Sequence, residues 1–398
     1  MNTSTRVRRT YQDTHPWITF SFNLRHLSPL DWINVGEAWS KCDHIAGVPL
    51  QPQVAQRLHE VYLAKGVHAT TQIEGNTLSE DEVRQRVEGD LELPESQEYL
   101  GTEVDNILRA CDLIADDLAA GRDMRLTPER IKLFNQMVLD GLPLKEGVAP
   151  GEIRTESVVV GNVYRGAPWQ DCDDLLEGLC AWLDAMVADV DESWRRPMKL
   201  IRAILAHLYL AWIHPFGDGN GRTARLVEFQ LLADAGFPSP ACHLLSNYYN
   251  RTRQMYYRVL AETSHPPYPV DKFVSYALRG FVEELREQLK VVRAQQLTVA
   301  WINYVHETFS GLGGNTAQRQ RELVLALPAN KFTPVPNLRR LTPELAEQYA
   351  GKQQKTITRD VNTIVKLGLV QRGRTGIRPR IELLSAFMPI RLREAPED

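Results

Sequence analysis

Apolar side chains recur at helical spacing through most of the chain between residues 53 and 290. Residues 102–119 carry them at i, i+3, i+4 and i+7. Residues 127–138 open with Thr-Pro, an N-cap followed by proline at the first helical position. Residues 198–213 are apolar nearly all round, which is typical of a helix buried on every side. The pattern therefore predicts a helical core around one central buried helix.

Two stretches break this helical pattern. In residues 157–165, β-branched side chains flank a Gly-Asn pair, which predicts a β-hairpin. Beyond the glycine-rich joint at 311–315, three helical stretches precede two short strands, at 369–372 and 380–384, in the order of a winged helix-turn-helix. We therefore predict an all-α core with a small β-hairpin flap, followed by a C-terminal winged helix-turn-helix of the α+β class.

A chain of 398 residues is too long for one core of ordinary size. The pattern divides it into an N-terminal segment (1–100), a helical core (101–290), a linker (291–315) and a winged-helix module (316–398). The module carries 15 Lys and Arg against 8 Asp and Glu, a balance of +7, whereas the whole chain carries −4. A basic module on an acidic body indicates a DNA contact, and a solvated basic surface is the alternative.

The composition of the chain limits the cellular compartments in which we expect it. No apolar run approaches the roughly 18 residues of a membrane span, and the N-terminus lacks the apolar stretch of a signal peptide. The five cysteines form no Cys-x-x-Cys pair, and their odd number argues against a disulfide framework. These features predict a cytoplasmic protein that does not engage a membrane.

The candidate chemistry follows the central buried helix, in the stretch from His214 to Arg225. Gly217, Gly219 and Gly221 allow the backbone to take positive φ and to approach a ligand closely. The N–H groups that open the next helix form a site for an anion. The side chain of Asn220 adds a neutral donor. This combination predicts a loop that cradles phosphate groups.

Charged side chains complete the predicted site. Arg222 and Arg225 lie three residues apart, so both project from one side of the helix and can hold separate phosphates. Asp218 suits a Mg²⁺ ion that bridges phosphate oxygens. The His214 imidazole can take a proton from an attacking hydroxyl group. A base, a metal ligand and two arginines on one anion loop indicate phosphoryl or nucleotidyl transfer.

This string resembles the Fic family motif, His-Pro-Phe-x-Asp/Glu-Gly-Asn-Gly-Arg-x-x-Arg, at every specified position. The resemblance implies a helical Fic core that transfers AMP from ATP and Mg²⁺ to a Ser, Thr or Tyr hydroxyl group. It implies that His214 is the general base, that Asp218 holds the metal and that Asn220 with the loop amides holds the α-phosphate. The two arginines would hold the β- and γ-phosphates. Gly221 distinguishes the string from the related Doc kinases, which have lysine there.

A second string, from Thr70 to Asn76, resembles the inhibitory helix of the same family, Ser/Thr-x-x-x-Glu-Gly/Asn. In the family its glutamate pairs with the last arginine of the motif, which implies that Thr70 and Glu74 belong to an inhibitory segment and that Glu74 blocks Arg225. One guanidinium group cannot serve a carboxylate and a phosphate at once. Whether Glu74 would also support removal of AMP stays open.

The resemblance assigns two further regions by position. The hairpin residues Val158, Val159, Val160 and Gly161 fall where the family has a flap that holds the target segment by strand addition. The tyrosines of residues 248–257 fall where the family lines its adenine pocket, with core packing as the alternative. The candidates for this pocket are Tyr249, Tyr256 and Tyr257.

Two functions from different classes follow. The first is a self-inhibited protein adenylyltransferase that acts on a protein substrate, including self-modification, and forms a homo-oligomer. The second is a DNA-binding regulator that uses residues 316–398 to contact DNA and the helical core as its nucleotide sensor.

Overall fold

The computed structural model describes residues 9–50, 52–160 and 164–385. The chain divides into two compact units on either side of the bond between Leu289 and Lys290. This division falls inside one long helix. The finer four-part division expected from the sequence stays a prediction.

The first unit is predominantly helical. Its helices are α1 (Tyr11–Thr14), α2 (Pro29–Ala46), α3 (Pro52–Ile73), α4 (Glu80–Glu88), α5 (Glu98–Ala119), α6 (Pro128–Leu139), α7 (Cys172–Ala188), α8 (Glu192–Ile213), α9 (Asn220–Asp234), α10 (Ser239–Cys242), α11 (Leu244–Arg251), α12 (Arg253–Thr263) and the start of α13 (Val270–Thr308). A short antiparallel hairpin joins β1 (Val159–Val160) to β2 (Tyr164–Arg165), with Val159 opposite Arg165. The structure confirms the predicted helical core with a small hairpin.

Local sequence signals fix several helix starts. Ser28 caps α2 and Ser79 caps α4, and each forms a reciprocal capping box with the acidic residue three positions later. Thr127 caps α6, and Pro128 occupies the first helical position as predicted. These caps satisfy N–H groups that have no partner inside the helix.

Helix α8 lies at the centre of the unit, as its pattern predicts. Its residues from Met198 to Ile213 are buried on nearly every side, and α9 packs along it. The helix begins at Glu192, earlier than the Met198 start that Pro197 suggested. Pro197 is tolerated there because the carbonyl group that loses its partner belongs to Ser193, which is exposed.

The second unit contains the rest of α13, then α14 (Gly314–Ala326), α15 (Pro343–Gln348), α16 (Gln354–Lys366), β3 (Val370–Gly373) and β4 (Gly376–Pro379). The predicted second strand at 380–384 is wrong. The hairpin closes through the two residues 374 and 375, so β4 starts earlier, and Ile381–Ser385 forms a 3-10 turn. The glycine-rich joint is also shorter than predicted, because Gly314 and Asn315 belong to α14.

A buried carboxylate fixes α16 within the second unit. Asp360 is 2% exposed and accepts hydrogen bonds from Arg319 Nε at 2.8 Å, Gln320 Nε2 at 2.8 Å and Tyr349 Oη at 2.9 Å. A charge in the interior is tolerated when it is paired and hydrogen-bonded in this way. The network therefore sets the orientation of α16 against α14.

The structure also bears on membrane-spanning helices and on the cysteines. In the part of the chain that the structure describes, no helix is long and apolar enough to span a membrane. All five cysteines are free and buried.

At Gly66, helix α3 lies close to His243, the N-cap residue of α11, and an added Cβ would overlap the His243 ring. We expect Gly66→Ala to destabilise the protein by about 1–3 kcal/mol, because a packed interior cannot absorb an extra methyl group. Differential scanning fluorimetry would measure this as a lower Tm.

Gly36→Ala in α2 provides the matched control, because an added Cβ there meets no atom within 4 Å. This control should raise the stability by up to about 1 kcal/mol, through the higher helix propensity of alanine. An unchanged Tm for Gly66→Ala would contradict the close approach of α3 to α11.

Candidate active site

The loop between α8 and α9 takes a fixed conformation at both ends. His214 follows α8 directly, with φ of 49° in the left-handed region, and its N–H donates to the Leu210 carbonyl at 2.9 Å. Gly219 precedes α9 with φ of 74°, which favours glycine. An added Cβ on Gly219 would also lie 3.0 Å from Asn135 Nδ2. The loop is therefore a closely packed turn between two buried helices.

Two asparagine side chains hold the loop from inside. Asn220 accepts from the Phe216 N–H at 2.9 Å and donates to the Phe216 carbonyl at 2.8 Å. Asn135, which is fully buried on α6, donates to the Asp218 carbonyl at 2.9 Å. The predicted phosphate contact of Asn220 stays a prediction, and in this structure its side chain supports the turn.

Arg154 joins the hairpin to the loop. It is 5% exposed, and its Nε donates to the His214 carbonyl at 2.8 Å. Its two Nη atoms donate to the carbonyls of Glu156 (2.5 Å) and Ala167, on either side of the hairpin. A guanidinium group that serves three carbonyls fixes their relative positions. Sequence reasoning missed Arg154 and Asn135, because each lies far from the motif and neither carries a local pattern.

Glu74 lies against the start of α9. Its Oε1 accepts from Arg225 Nη2 at 2.5 Å, and the same nitrogen donates to the Thr70 carbonyl at 3.0 Å. An added Cβ on Gly221 would overlap the Glu74 carboxylate, so glycine is required there for this approach. The structure thus brings together Thr70, Glu74 and Arg225, although Thr70 participates through its backbone.

The ion pair shifts the pKa of both partners. Burial opposes ionisation of Glu74, but the guanidinium groups of Arg225 and Arg222 outweigh it and hold the pKa of Glu74 below its usual value. Burial likewise opposes the charge of Arg225, and the Glu74 carboxylate holds the pKa of that arginine above its usual value. Both groups are therefore charged at neutral pH.

Arg222 has carboxylate partners of its own. Its Nη1 donates to Glu103 Oε1 on α5, and its Nη2 lies 3.4 Å from Asp218 Oδ1. The Asp218 side chain is 41% exposed and also accepts from the Gly219 N–H at 2.5 Å. Two guanidinium groups therefore face the carboxylates of Glu74, Glu103 and Asp218. Sequence reasoning missed Glu103, which has no pattern to distinguish it from other polar residues of α5.

The site can be tested against a phosphate ligand and a magnesium ion. The Nε atoms of Arg222 and Arg225 are buried and have no acceptor, so each arginine retains a donor for an incoming oxygen. Within the described residues, no group of three or more His, Cys, Asp or Glu side chains is arranged to hold a metal ion. A single carboxylate such as Asp218 fits Mg²⁺, which protein sites often bind through one or two carboxylates and substrate phosphates.

The tyrosine candidates occupy different environments. Tyr249 and Tyr256 are buried, and their hydroxyl groups bond to Glu228 (2.9 Å) and His207 (2.8 Å). In this structure these two rings present no surface on which an adenine base could stack. Tyr257 is 44% exposed, and its hydroxyl donates to the Ile73 carbonyl at 3.2 Å. Of the three tyrosines, Tyr257 is the one accessible to a ligand.

The hairpin presents an apolar edge segment. Val159 is 53% exposed and Val160 is 39% exposed, whereas Val158 is partly buried and its carbonyl accepts from the Gly166 N–H at 3.1 Å. Gly161 lies outside the described residues. The role of this hairpin as a flap stays a prediction.

Two comparisons with known proteins place the fold and the loop. Residues 125–232 match the model of the Fic/DOC family. A Fic family protein from Desulfovibrio desulfuricans G20 has a similar structure, with a TM-score of 0.55 at 18% identity over 89% of this chain and 96% of that chain. Fic-1 (residues 134–508) from C. elegans gives a TM-score of 0.54 at 24% identity over 67% of this chain and 73% of that chain. At these identities the structures establish the fold alone.

Curated relatives agree with this assignment. Protein adenylyltransferase fic-1 of Caenorhabditis briggsae is 32% identical over 196 residues, which cover 48% of this chain and 36% of that protein. Protein adenylyltransferase Fic of Nematostella vectensis is 27% identical over 243 residues, which cover 61% and 53% of the two chains. This chain thus spans about a third to a half of the length of these relatives. It carries a domain of the Fic/DOC family, and the loop from His214 to Arg225 lies within that domain.

The environment of His214 leads to a prediction for its titration. Burial lowers the pKa of the imidazole to about 4 from 6.5. The neutral ring therefore contributes stability that is fully present above pH 6.5 and is lost as the pH falls through about 4. We expect nitrogen NMR shifts of labelled histidine to show His214 neutral at pH 6. The spectrum of His214→Ala would assign its signals, and a midpoint near 6.5 would contradict the prediction.

Proposed function

We propose that this chain is a self-inhibited protein adenylyltransferase, which transfers AMP from ATP to a Ser, Thr or Tyr hydroxyl group of a protein. The observation that carries the proposal is the Glu74–Arg225 ion pair, which places a carboxylate directly on the backbone at Gly221. A site that attracts this carboxylate so closely has the charge and the space to attract a phosphate.

His214 has the properties of a general base. Its imidazole is neutral at pH 7, because burial lowers its pKa to about 4. It takes the proton of the attacking hydroxyl group while the hydroxyl oxygen bonds to the α-phosphorus of ATP. The bond from that phosphorus to the β-phosphate oxygen breaks, and pyrophosphate leaves. The Leu210 carbonyl and the Arg154 side chain hold the His214 backbone, which fixes the point from which the imidazole extends.

The phosphate groups would be held by the loop and by the start of α9. The N–H groups of residues 217–221 would form the anion cradle, apart from that of Gly219, which donates to Asp218 in this structure, and Arg222 and Arg225 would provide charge-assisted donors. Asp218 would hold Mg²⁺, which neutralises part of the phosphate charge when bound. The exposed ring of Tyr257 is the candidate for contact with adenine, and the valines of β1 are the candidates for strand addition to the target.

Inhibition follows from competition for one cation. Arg225 is almost fully buried, with 1% of its side chain exposed, so it has little freedom to serve a phosphate while it serves Glu74. The negative charge of Glu74 beside Gly221 also opposes the entry of a triphosphate into the cradle. Loss of the Glu74 charge relieves both effects.

We expect Glu74→Gly to raise AMP transfer at least about tenfold, since a charge-assisted hydrogen bond of 1.5–3 kcal/mol no longer occupies Arg225. His214→Ala in the same background should abolish transfer. Incubation with labelled ATP would measure self-modification, and mass spectrometry would detect an added AMP mass on proteins of a lysate.

Glu60→Gln serves as the control, because it removes a carboxylate from α3 that lies about four helical turns before Glu74. It should leave transfer at the wild-type level. If Glu74→Gly is no more active than the wild type, the inhibition proposed here is wrong.

A DNA-binding role for the second unit is the alternative, and one observation favours it. The exposed face of α16 carries neutral and basic side chains, because the acidic residue of that helix, Asp360, is buried. Lys355, Arg359 and Lys366 are exposed on α16, and Arg372 and Arg374 are exposed in the following hairpin. Such a face suits the phosphate backbone of duplex DNA.

We expect the wild-type protein to be retained on immobilised DNA at low salt and to be released as salt increases. Arg359→Glu should weaken retention strongly, because it reverses a charge on the exposed face of α16. Arg293→Glu, the same change at an exposed position of α13, is the control. Equal retention of the two variants would rule out this face of α16 as the contact.

A further inference from the structure

The carboxylate of Glu103 holds Arg222 in a defined position. Glu103 lies on α5, its side chain is 14% exposed, and its Oε1 accepts from Arg222 Nη1. On the rest of the guanidinium group, Nη2 makes one long contact of 3.4 Å to Asp218 Oδ1, and Nε has no acceptor. The guanidinium group is thus held at one end and has donors to spare at the other.

Glu103 is itself fixed by a second residue. Its Oε2 accepts from Asn76 Nδ2 at 2.8 Å, and the same nitrogen donates to the Leu100 carbonyl at 3.0 Å. Asn76 Oδ1 in turn accepts from the Leu78 N–H at 3.0 Å, so both ends of this amide are engaged. A carboxylate with both oxygens occupied has a restricted rotamer, and the restriction passes to Arg222.

Glu103 and Glu74 differ in how firmly the backbone at each residue is held by the fold. Glu103 lies within α5. Its neighbours on that helix, Leu100, Val104 and Ile107, are at most 4% exposed and anchor the helix in the core. Glu74 follows the last residue of α3 and precedes Gly75, whose φ is 108°. The backbone of a packed helix remains in place when a chain segment at a helix end moves, and Asn76, two residues beyond Glu74, is itself bonded to the Leu100 carbonyl of α5.

We propose that Glu103, oriented by Asn76, is a positioning residue that keeps Arg222 in place for the phosphates beyond the first one of the nucleotide. This inference rests on the function proposed above, and it gives the two arginines different roles. Arg222 is held by a carboxylate inside the packed helix α5, whereas Arg225 is held by Glu74, which follows the end of α3.

Two opposite outcomes distinguish positioning from competition. If Glu103 competed with phosphate for Arg222, loss of its charge would strengthen nucleotide binding, because an anion would leave the cradle. If Glu103 positions Arg222, the same loss weakens binding, because the guanidinium group gains freedom that a ligand must then remove. The sign of the change therefore decides the question.

The test measures nucleotide affinity in the Glu74→Gly protein, where the inhibitory carboxylate is absent. Calorimetric titrations with ATP, ADP and AMP in the presence of Mg²⁺ would compare this parent with the same protein carrying Glu103→Gln. We expect the affinities for ATP and ADP to fall about tenfold, the size expected for one charge-assisted hydrogen bond. The affinity for AMP should not change, since AMP lacks the phosphates that Arg222 is assigned to hold.

Two further variants make the test selective. Asn76→Ala retains the Glu103 charge but frees its second oxygen, so ATP and ADP should bind about threefold more weakly. It decides the question if Glu103→Gln does not fold. Asp116→Asn removes an exposed carboxylate from the same helix and should bind all three nucleotides as the parent does.

Tighter or unchanged ATP binding in Glu103→Gln, or an equal loss for ATP, ADP and AMP, would overturn the inference. These results are separate from the fate of the proposed function. A parent that binds ATP but transfers no AMP would refute the transferase proposal, and the dependence of ATP affinity on Glu103 would still be measured.

Discussion

Positive charge is concentrated at the start of α9, and carboxylates from neighbouring segments pair with it. Arg222 and Arg225 lie in the first two turns of this helix, where the unpaired N–H groups and the helix dipole are already positive. Glu74 follows the C-terminus of α3, the negative end of a helix, so its charge is also at an unfavourable end. The two ends neutralise each other, and the C-terminal end of α3 takes the place of an anion at the start of α9.

This neutralisation requires a rigid turn between α8 and α9. Asn135, Arg154 and Asn220 bind the carbonyl and N–H groups of the turn, so its shape does not depend on a ligand. Preorganised donors bind an anion without the cost of ordering a loop. Because Arg154 also contacts both sides of the hairpin, the position of His214 and the position of the hairpin are linked.

The sequence predicts the parts of this arrangement that are contiguous. The helical periodicity, the loop from His214 to Arg225 and the segment from Thr70 to Asn76 each carry their signal within a few residues. Glu103 is different, because its role arises when α5 packs beside α9. For Tyr249 the sequence left two interpretations open, contact with adenine and core packing, and in this structure packing buries the ring against Glu228. Long-range packing decides such roles, and periodicity does not report it.

The strength of the proposed inhibition depends on more than one bond. The end of α3 is held by the Glu74–Arg225 pair and by three further hydrogen bonds: Asn250 to the Gln72 side chain at 2.6 Å, Arg253 to the Gln72 carbonyl at 3.2 Å and Tyr257 to the Ile73 carbonyl at 3.2 Å. With about 2 kcal/mol for the charged contact and about 1 kcal/mol for each of the others, release costs about 5 kcal/mol. About one molecule in five thousand is then released at equilibrium. A ligand or partner that activates the protein must therefore bind the released form about five thousandfold more tightly to populate half of it. Tyr257 is also the accessible tyrosine near the site. An adenine base that displaced the Tyr257 hydroxyl group from the Ile73 carbonyl would therefore lower the free energy of releasing the end of α3, so nucleotide binding itself would favour release.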